Sequence, residues 1–297
     1  MGKLVAPEVE ATIRSDVFRW LDAQLGAGKW EFSRDELLSY EFEGRRVPLI
    51  DHGGRGIKNP ATFRSTLSVI AGGEGGYDDE VLEGGLIRYS YRRGDGGDNT
   101  KLSNALLTQA PLVYFQKVRP SFYVATYPAR VVRDVPEERH VIIAPGDIFE
   151  FFDDPLSMPY DARKYAEKLT RIRLHQPLFR ARVLDAYNAT CAICKLKHAV
   201  LLDAAHIIGD AEDGGVADVS NGLALCKIHH ASYDRNLLGI TPDYEVRIDQ
   251  GLLDEIDGPM LRHGLQDMHG RRLALPDHRA DWPDPERLAI RYDVFAA

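Results

Sequence analysis

Two short pairs, Cys191-x2-Cys194 and Cys226-x2-His229, constrain this chain more than any other feature of it. A Cys-x2-Cys turn converges two thiolates, and a Cys and a His three positions apart on a helix lie one turn from each other. Four soft or borderline ligands in two short-spaced pairs match a closed tetrahedral site, so a structural Zn²⁺ is expected there. These are the only cysteines in the chain. Their odd number argues against a disulfide framework.

His229 is followed at once by His230. Adjacent helical side chains point about 100° apart, so the two histidines serve different sites. His230 shares its face with Asp234 at i+4, and a His and an Asp one turn apart are a ready pair of ligands for a divalent cation. Upstream, LLDAAHI reads as a strand carrying His206 at its end. A Gly/Asp-rich loop then leads to Asn221, and a second short strand, GLALC, enters the helix.

This order of strand, loop, strand and helix resembles the HNH nucleases, the ββα-metal fold. The resemblance runs from Tyr187 to Gly239 and includes the cysteine pairs that many HNH domains use as a zinc staple. It implies that His206 is the general base, that Asn221 fixes the loop and the orientation of His206, and that His230 takes part in the reaction. It also implies that His230 and Asp234 hold a catalytic Mg²⁺, or another divalent cation such as Mn²⁺ or Ni²⁺. Ala205 stands where many family members carry a further ligand. Asp203, two residues back on the same strand face, is the expected substitute.

At 297 residues the chain is long enough for two domains with cores of their own. From about residue 41 to 155, short apolar runs alternate with Gly, Pro and Asp clusters, the pattern of a twisted β-sheet or barrel. Val17, Trp20, Leu21 and Leu25 mark a helical start. YDARKYAEKLTRIRLH is a strong helix, and Pro177 is expected to begin a second one. The expected division is a helical segment over 1–40, a β-rich domain over 41–155, a basic helical linker over 156–187, a metal-stapled domain over 188–250 and an extension over 251–297.

The stretch GGYDDEVLEGGLIRYSYRRGDGGDNTKLSNALL admits hairpins joined by Gly turns, with tyrosines packed in the core. It also resembles the SRA (YDG) domain, which flips a modified cytosine out of duplex DNA. That resemblance implies a modified-base pocket walled by Tyr77 and Tyr89, with Asp79, Glu80 and Ser90 around the base. Glu80 stands where Asp is more usual, which leaves the identity of the base open between 5-methyl and 5-hydroxymethyl cytosine. Arg88, Arg92, Arg93 and Lys101 are expected at DNA phosphates.

The net charge of −8 gives no hint of nucleic acid, but its distribution does. Between Tyr160 and Val200 nine Lys/Arg stand against three acids, and Arg171, Arg173 and Arg180 are expected to hold the duplex. No apolar run approaches the roughly 20 residues that span a bilayer. The N-terminus lacks the apolar core of a signal peptide, so no membrane partner and a cytoplasmic, bacterial setting are expected.

Together these readings predict an α+β protein: a β-rich, SRA/PUA-like twisted barrel joined by helices to a zinc-stapled ββα-metal HNH domain. The expected function is a modification-dependent restriction endonuclease acting on double-stranded DNA that carries modified bases. One HNH site cuts one strand, so a homodimer or a transient pairing on DNA is expected. Two alternatives remain, a catalytically decayed reader and an HNH nuclease indifferent to base modification.

Overall fold

The computed structural model describes residues 4–71, 80–82, 84–94, 96–146, 155–209, 212 and 214–297, with the backbone alone at 155 and 171–173. The chain forms two compact units, Met1–Leu178 and Phe179–Ala297. Among the described residues, no helix is long and apolar enough to cross a membrane.

The first unit opens on helix α1, Pro7–Gly26, with Pro7 in its first turn and Glu8 and Glu10 at its positive end. Ile13, Val17 and Leu21 form its buried stripe, packed with Phe32, Leu37, Leu49, Phe115 and Tyr123. Arg14 is buried beside them. It pairs with Glu10 at 2.6 Å and donates to the carbonyls of Thr66 and Pro111, which ties α1 to the strands beyond. Strand β1, Phe32–Ser33, leads into helix α2, Arg34–Ser39, where Ser33 and Glu36 form a capping box. A small hairpin follows, β2 (Glu41–Phe42) with β3 (Arg45–Arg46).

The main sheet holds β4 (Ile57–Lys58), β5 (Ser68–Ala71), β6 (Glu80–Val81), β7 (Ile87–Ser90), β8 (Leu112–Arg119), β9 (Phe122–Val135) and β10 (His140–Pro145). Their order is β4-β5-β8-β9-β10-β7-β6, with β1 added beside β9. The β5–β8 pair is parallel and the others are antiparallel. Helix α3, Gly97–Thr108, buries Leu102 and Ala105 against this sheet's core. Among the described residues the expected twisted barrel is not seen to close. A barrel needs its end strands to ladder with each other. Here β4 and β6 are two-residue pieces that do not pair with one another.

Helix α4, Tyr160–Ala186, corrects a second expectation. It runs through Pro177 as one helix rather than starting anew there. Pro177 removes one backbone hydrogen bond. Buried Ala166 and Leu174 before it, and Phe179, Val183 and Leu184 after it, hold the helical path on both sides.

In the second unit β11 (Leu202–His206) pairs antiparallel with β12 (Gly222–Cys226), which runs directly into helix α5 (Lys227–Asp234). This is the strand, loop, strand and helix order that the spacing predicts. A hairpin of β13 (Leu238–Ile240) and β14 (Val246–Ile248) follows, then helices α6 (Gln250–Asp254), α7 (Pro259–Gly264) and α8 (Pro285–Ala296). Leu202, Leu223, Leu225, Leu238 and Leu288 share one core, so the C-terminal residues are built into this unit.

Candidate active site and metal centre

The first centre sits at the start of α5. Cys226 is the N-cap, His229 follows on the first turn, and Cys191 and Cys194 arrive on the turn after α4. The four ligand atoms lie within 4.8 Å of one another. His229 Nδ1 is 3.1 Å from Cys226 Sγ and 3.5 Å from Cys191 Sγ, and Cys194 Sγ is 4.0 Å from Cys226 Sγ. Ligands of a tetrahedral zinc ion stand about 3.5–3.8 Å apart, so the set fits that ion. The outer contact agrees. His229 Nε2 lies 2.8 Å from the Gly264 carbonyl, which can only accept. The proton therefore sits on Nε2, and Nδ1 turns its lone pair toward the thiols. A hydrogen bond from Cys226 holds the Cys191 thiol down to about 3, against the effect of burial. Burial pushes Cys194 up, and the hydrogen bond to Cys191 pushes Cys226 up.

The second group lies along β11 and the same helix. His230 stands between two carboxylates, with Nδ1 3.4 Å from Asp203 Oδ2 and Nε2 3.4 Å from Asp234 Oδ2. Asp203 also receives Lys227 Nζ at 2.5 Å, and Arg180 Nε lies 3.8 Å from its other oxygen. Burial raises its pKa, but Lys227 and then His230 outweigh that and hold the carboxyl below its usual range. Asp203 therefore meets the ring nitrogen opposite the one that faces Asp234. This is the place of an orienting carboxylate rather than of a ligand beside Asp234. The nitrogen and oxygen donors of His230 and Asp234 suit Mg²⁺, Mn²⁺ or Ni²⁺. Among the described residues no third His, Cys, Asp or Glu converges with them, His206 included; the cysteine-rich cluster is the only such group.

His206 ends β11, opposite Gly222 in the ladder. Its ring stacks on Phe179 of α4, with centroids 4.0 Å apart and planes 14° apart. Gly222 is required by the same closeness, because a Cβ there would collide with Phe179 and Val183. Asn221 is fully buried. Its Oδ1 accepts from the Ile208 N–H at 3.0 Å, and its Nδ2 donates to the carbonyls of Ile208 and Val216 at 2.9 Å. Its backbone carbonyl accepts from Ile207 N–H at 2.9 Å. Asn221 thus staples both ends of the loop that follows His206. Phe179 and Gly222 were not anticipated. Gly222 directly after Asn221 is a readable signal, whereas Phe179 carries none in its own neighbourhood.

Several expected contacts take other places. Tyr89 is 5 % exposed, with its ring among Ile57, Val69 and Ile87. Its hydroxyl donates to the carbonyls of Gly56 at 3.0 Å and Ile70 at 3.4 Å, so it is a core residue and not a pocket wall. Tyr77 and Asp79 lie outside the described residues. Glu80 is exposed and pairs with Arg88 at 3.0 Å, and Ser90 sits on β7 opposite His140. Arg92 pairs with Asp98 at 2.9 Å, and Arg93 is exposed. Lys101 turns inward and donates to the carbonyls of Pro60 and Ala61. Arg180 also turns inward, to the carbonyls of Ala199 and Leu202, so neither is a surface phosphate contact. The side chains of Arg171 and Arg173 lie outside the description.

Residues 191–241 match the family described as HNH endonuclease. They form an HNH endonuclease domain. Solved structures similar to this chain include two restriction endonucleases. One is titled "Modification dependent TagI restriction endonuclease", at 18 % identity over 82 % of this chain and 86 % of that one, with a TM-score of 0.33. The other is titled "Structure of the Type IV phosphorothioation-dependent restriction endonuclease ScoMcrA", at 16 % identity over 56 % and 48 %, with a TM-score of 0.20. No curated protein matches the sequence. The HNH match contains both cysteine pairs, His206, Asn221, His230 and Asp234.

Proposed function

We propose that this chain is a cation-dependent endonuclease of double-stranded DNA whose first unit makes cleavage depend on a modified cytosine. The nuclease half rests on one arrangement: a histidine at a strand end, a loop stapled by Asn221, and the His230–Asp234 pair on the following helix. His206 takes the proton from the attacking water as general base. Phe179 holds its ring plane, and Asn221 holds the loop behind it. Asp203 accepts from His230 Nδ1 and leaves Nε2 on the side of Asp234. A Mg²⁺, Mn²⁺ or Ni²⁺ held by His230 and Asp234 would supply stabilisation of charge at the phosphoryl group. Zn²⁺ at the four-ligand cluster has a structural role. Cutting both strands calls for two chains on one duplex.

The reader half rests on the sequence from Gly75 to Leu107, with Tyr77 as the ring that stacks a flipped base. Tyr89 leaves that role to another side chain, because its ring belongs to the core. The same observation favours a second reading, an HNH nuclease indifferent to base modification. One plasmid prepared unmodified, with 5-methylcytosine, with 5-hydroxymethylcytosine and with N6-methyladenine separates the two. Cutting confined to a cytosine modification, and lost from that preference in Tyr77→Ala, is the expected result. Equal cutting of all four would keep the nuclease and discard the reader.

A further inference from the structure

The HNH match ends at residue 241, yet α8 reaches back to both ends of the site. Asp284 caps α8 by accepting from the N–H groups of Glu286 and Arg287. Its own N–H donates to the Ser220 carbonyl at 2.9 Å, one residue before Asn221. Arg287 adds a hydrogen bond to the Ser220 hydroxyl at 3.3 Å. Further along, Leu288 is fully buried in the core of this unit. Gly239 on β13 has no room for a Cβ, because the Phe295 ring lies against it.

The contact that bears most on the reaction is made by Arg291. Its Nη2 donates to the Tyr233 carbonyl and its Nη1 to Asn236 Oδ1, both at 2.6 Å. The guanidinium also lies 4.7 Å from the centroid of the Tyr233 ring. Helix α5 has only eight residues, and an isolated helix so short does not hold itself together in water. Its first turn is fixed by Cys226 and His229. Its last turn is capped in part by the backbone, Leu237 N–H donating to the Ser232 carbonyl at 2.9 Å and Asn236 N–H to the Tyr233 carbonyl at 3.2 Å, and a cation is favoured at that end. Arg291 supplies both a donor and a charge, to the carbonyl one residue before Asp234. Asp234 itself is more than half exposed and touches His230 Nε2, so little else in its own contacts fixes it.

We infer that Arg291 is a positioning residue for the cation pair: it clamps the last turn of α5 so that Asp234 stays beside His230 Nε2. This rests on the proposed role of Asp234 and His230 as cation ligands. The clamp comes from a helix outside the HNH match, so the C-terminal residues complete the nuclease site.

The test is Mn²⁺ binding to the full-length protein without DNA, followed by electron paramagnetic resonance, with zinc content and thermal unfolding measured on the same samples. Arg291→Met keeps an apolar stem against Tyr233 and removes the fork. Its expected effect is a roughly 10- to 100-fold weaker Mn²⁺ affinity at unchanged zinc content, as when an outer partner of a ligand is lost. The Mn²⁺ concentration for half-maximal cleavage should rise by the same factor. Arg291→Lys should recover part of the loss, since it restores the charge but not the fork. Unchanged affinity in a folded, zinc-loaded Arg291→Met would overturn the clamp. Should that variant fail to fold, Asn236→Ala loosens the same fork, and unchanged affinity there overturns it equally. Asp234→Asn marks the underlying reading: if it binds Mn²⁺ like the wild type, the cation pair falls and the clamp with it.

Discussion

Tyr89 and His206 both lie on short strands, and their surroundings set them apart. Tyr89 sits within β7 with its ring in the core and its hydroxyl spent on two backbone carbonyls. His206 ends its strand, its ring is held by the face of Phe179, and the loop behind it is stapled by a buried asparagine. The same contrast separates the two neighbours on α5. His229 is 2 % exposed and fixed at both nitrogens, by thiols and by the Gly264 carbonyl. His230 is a quarter exposed between two carboxylates. A residue is available for chemistry when its neighbours set its orientation and leave an edge open to solvent; when the core absorbs its polar atoms, its work is structural.

The comparison can be broken most severely at the metal centre. Cys194→Ser should release zinc and remove the unfolding transition of the second unit, because ligation there is folding free energy. The transition of the first unit should stay. Zinc analysis and a thermal melt check this, and a zinc-free variant with a wild-type melt would refute the structural role. Next in size is Phe179→Leu, which keeps apolar volume and removes the flat face against His206. It should lower kcat roughly tenfold through misplacement of the base, with the half-saturating Mn²⁺ concentration unchanged. An unchanged kcat would mean that the stack does no more than fill space. The smallest effect is expected at Tyr89→Phe, which loses the two carbonyl contacts. It should cost about 1 kcal/mol of stability in chemical unfolding and leave any preference for modified DNA as it was. A changed preference would return Tyr89 to the reader pocket.

The cysteine pairs, the β11–loop–β12–α5 order and the separation of His229 and His230 onto different neighbours were legible from spacing, because each depends on residues close in sequence. That β4 and β6 do not pair among the described residues was not, since neither strand carries a local mark of its partner. Pro177 was misleading for a similar reason: packing of Leu174 and Phe179 on either side outweighs one missing hydrogen bond. Lys101 and Arg180 count as surface charge in a sequence, yet backbone carbonyls of Pro60 and Leu202 take them inward. Phe179 stands far from His206 in the chain, and nothing in PLFRARV announces a stacking partner. Asp203 was visible as a substitute carboxylate, but only the geometry puts it on the far nitrogen of His230.

The most direct test of the nuclease account is single-turnover cleavage of plasmid DNA by wild-type protein and His206→Ala, in EDTA and after adding Mn²⁺, with DNA binding measured in the same samples. The account predicts cation-dependent cutting by the wild type, a loss of about 10²–10⁴-fold in His206→Ala, and equal binding by both. Wild-type cutting that survives in EDTA, or an undiminished rate in His206→Ala, would contradict it.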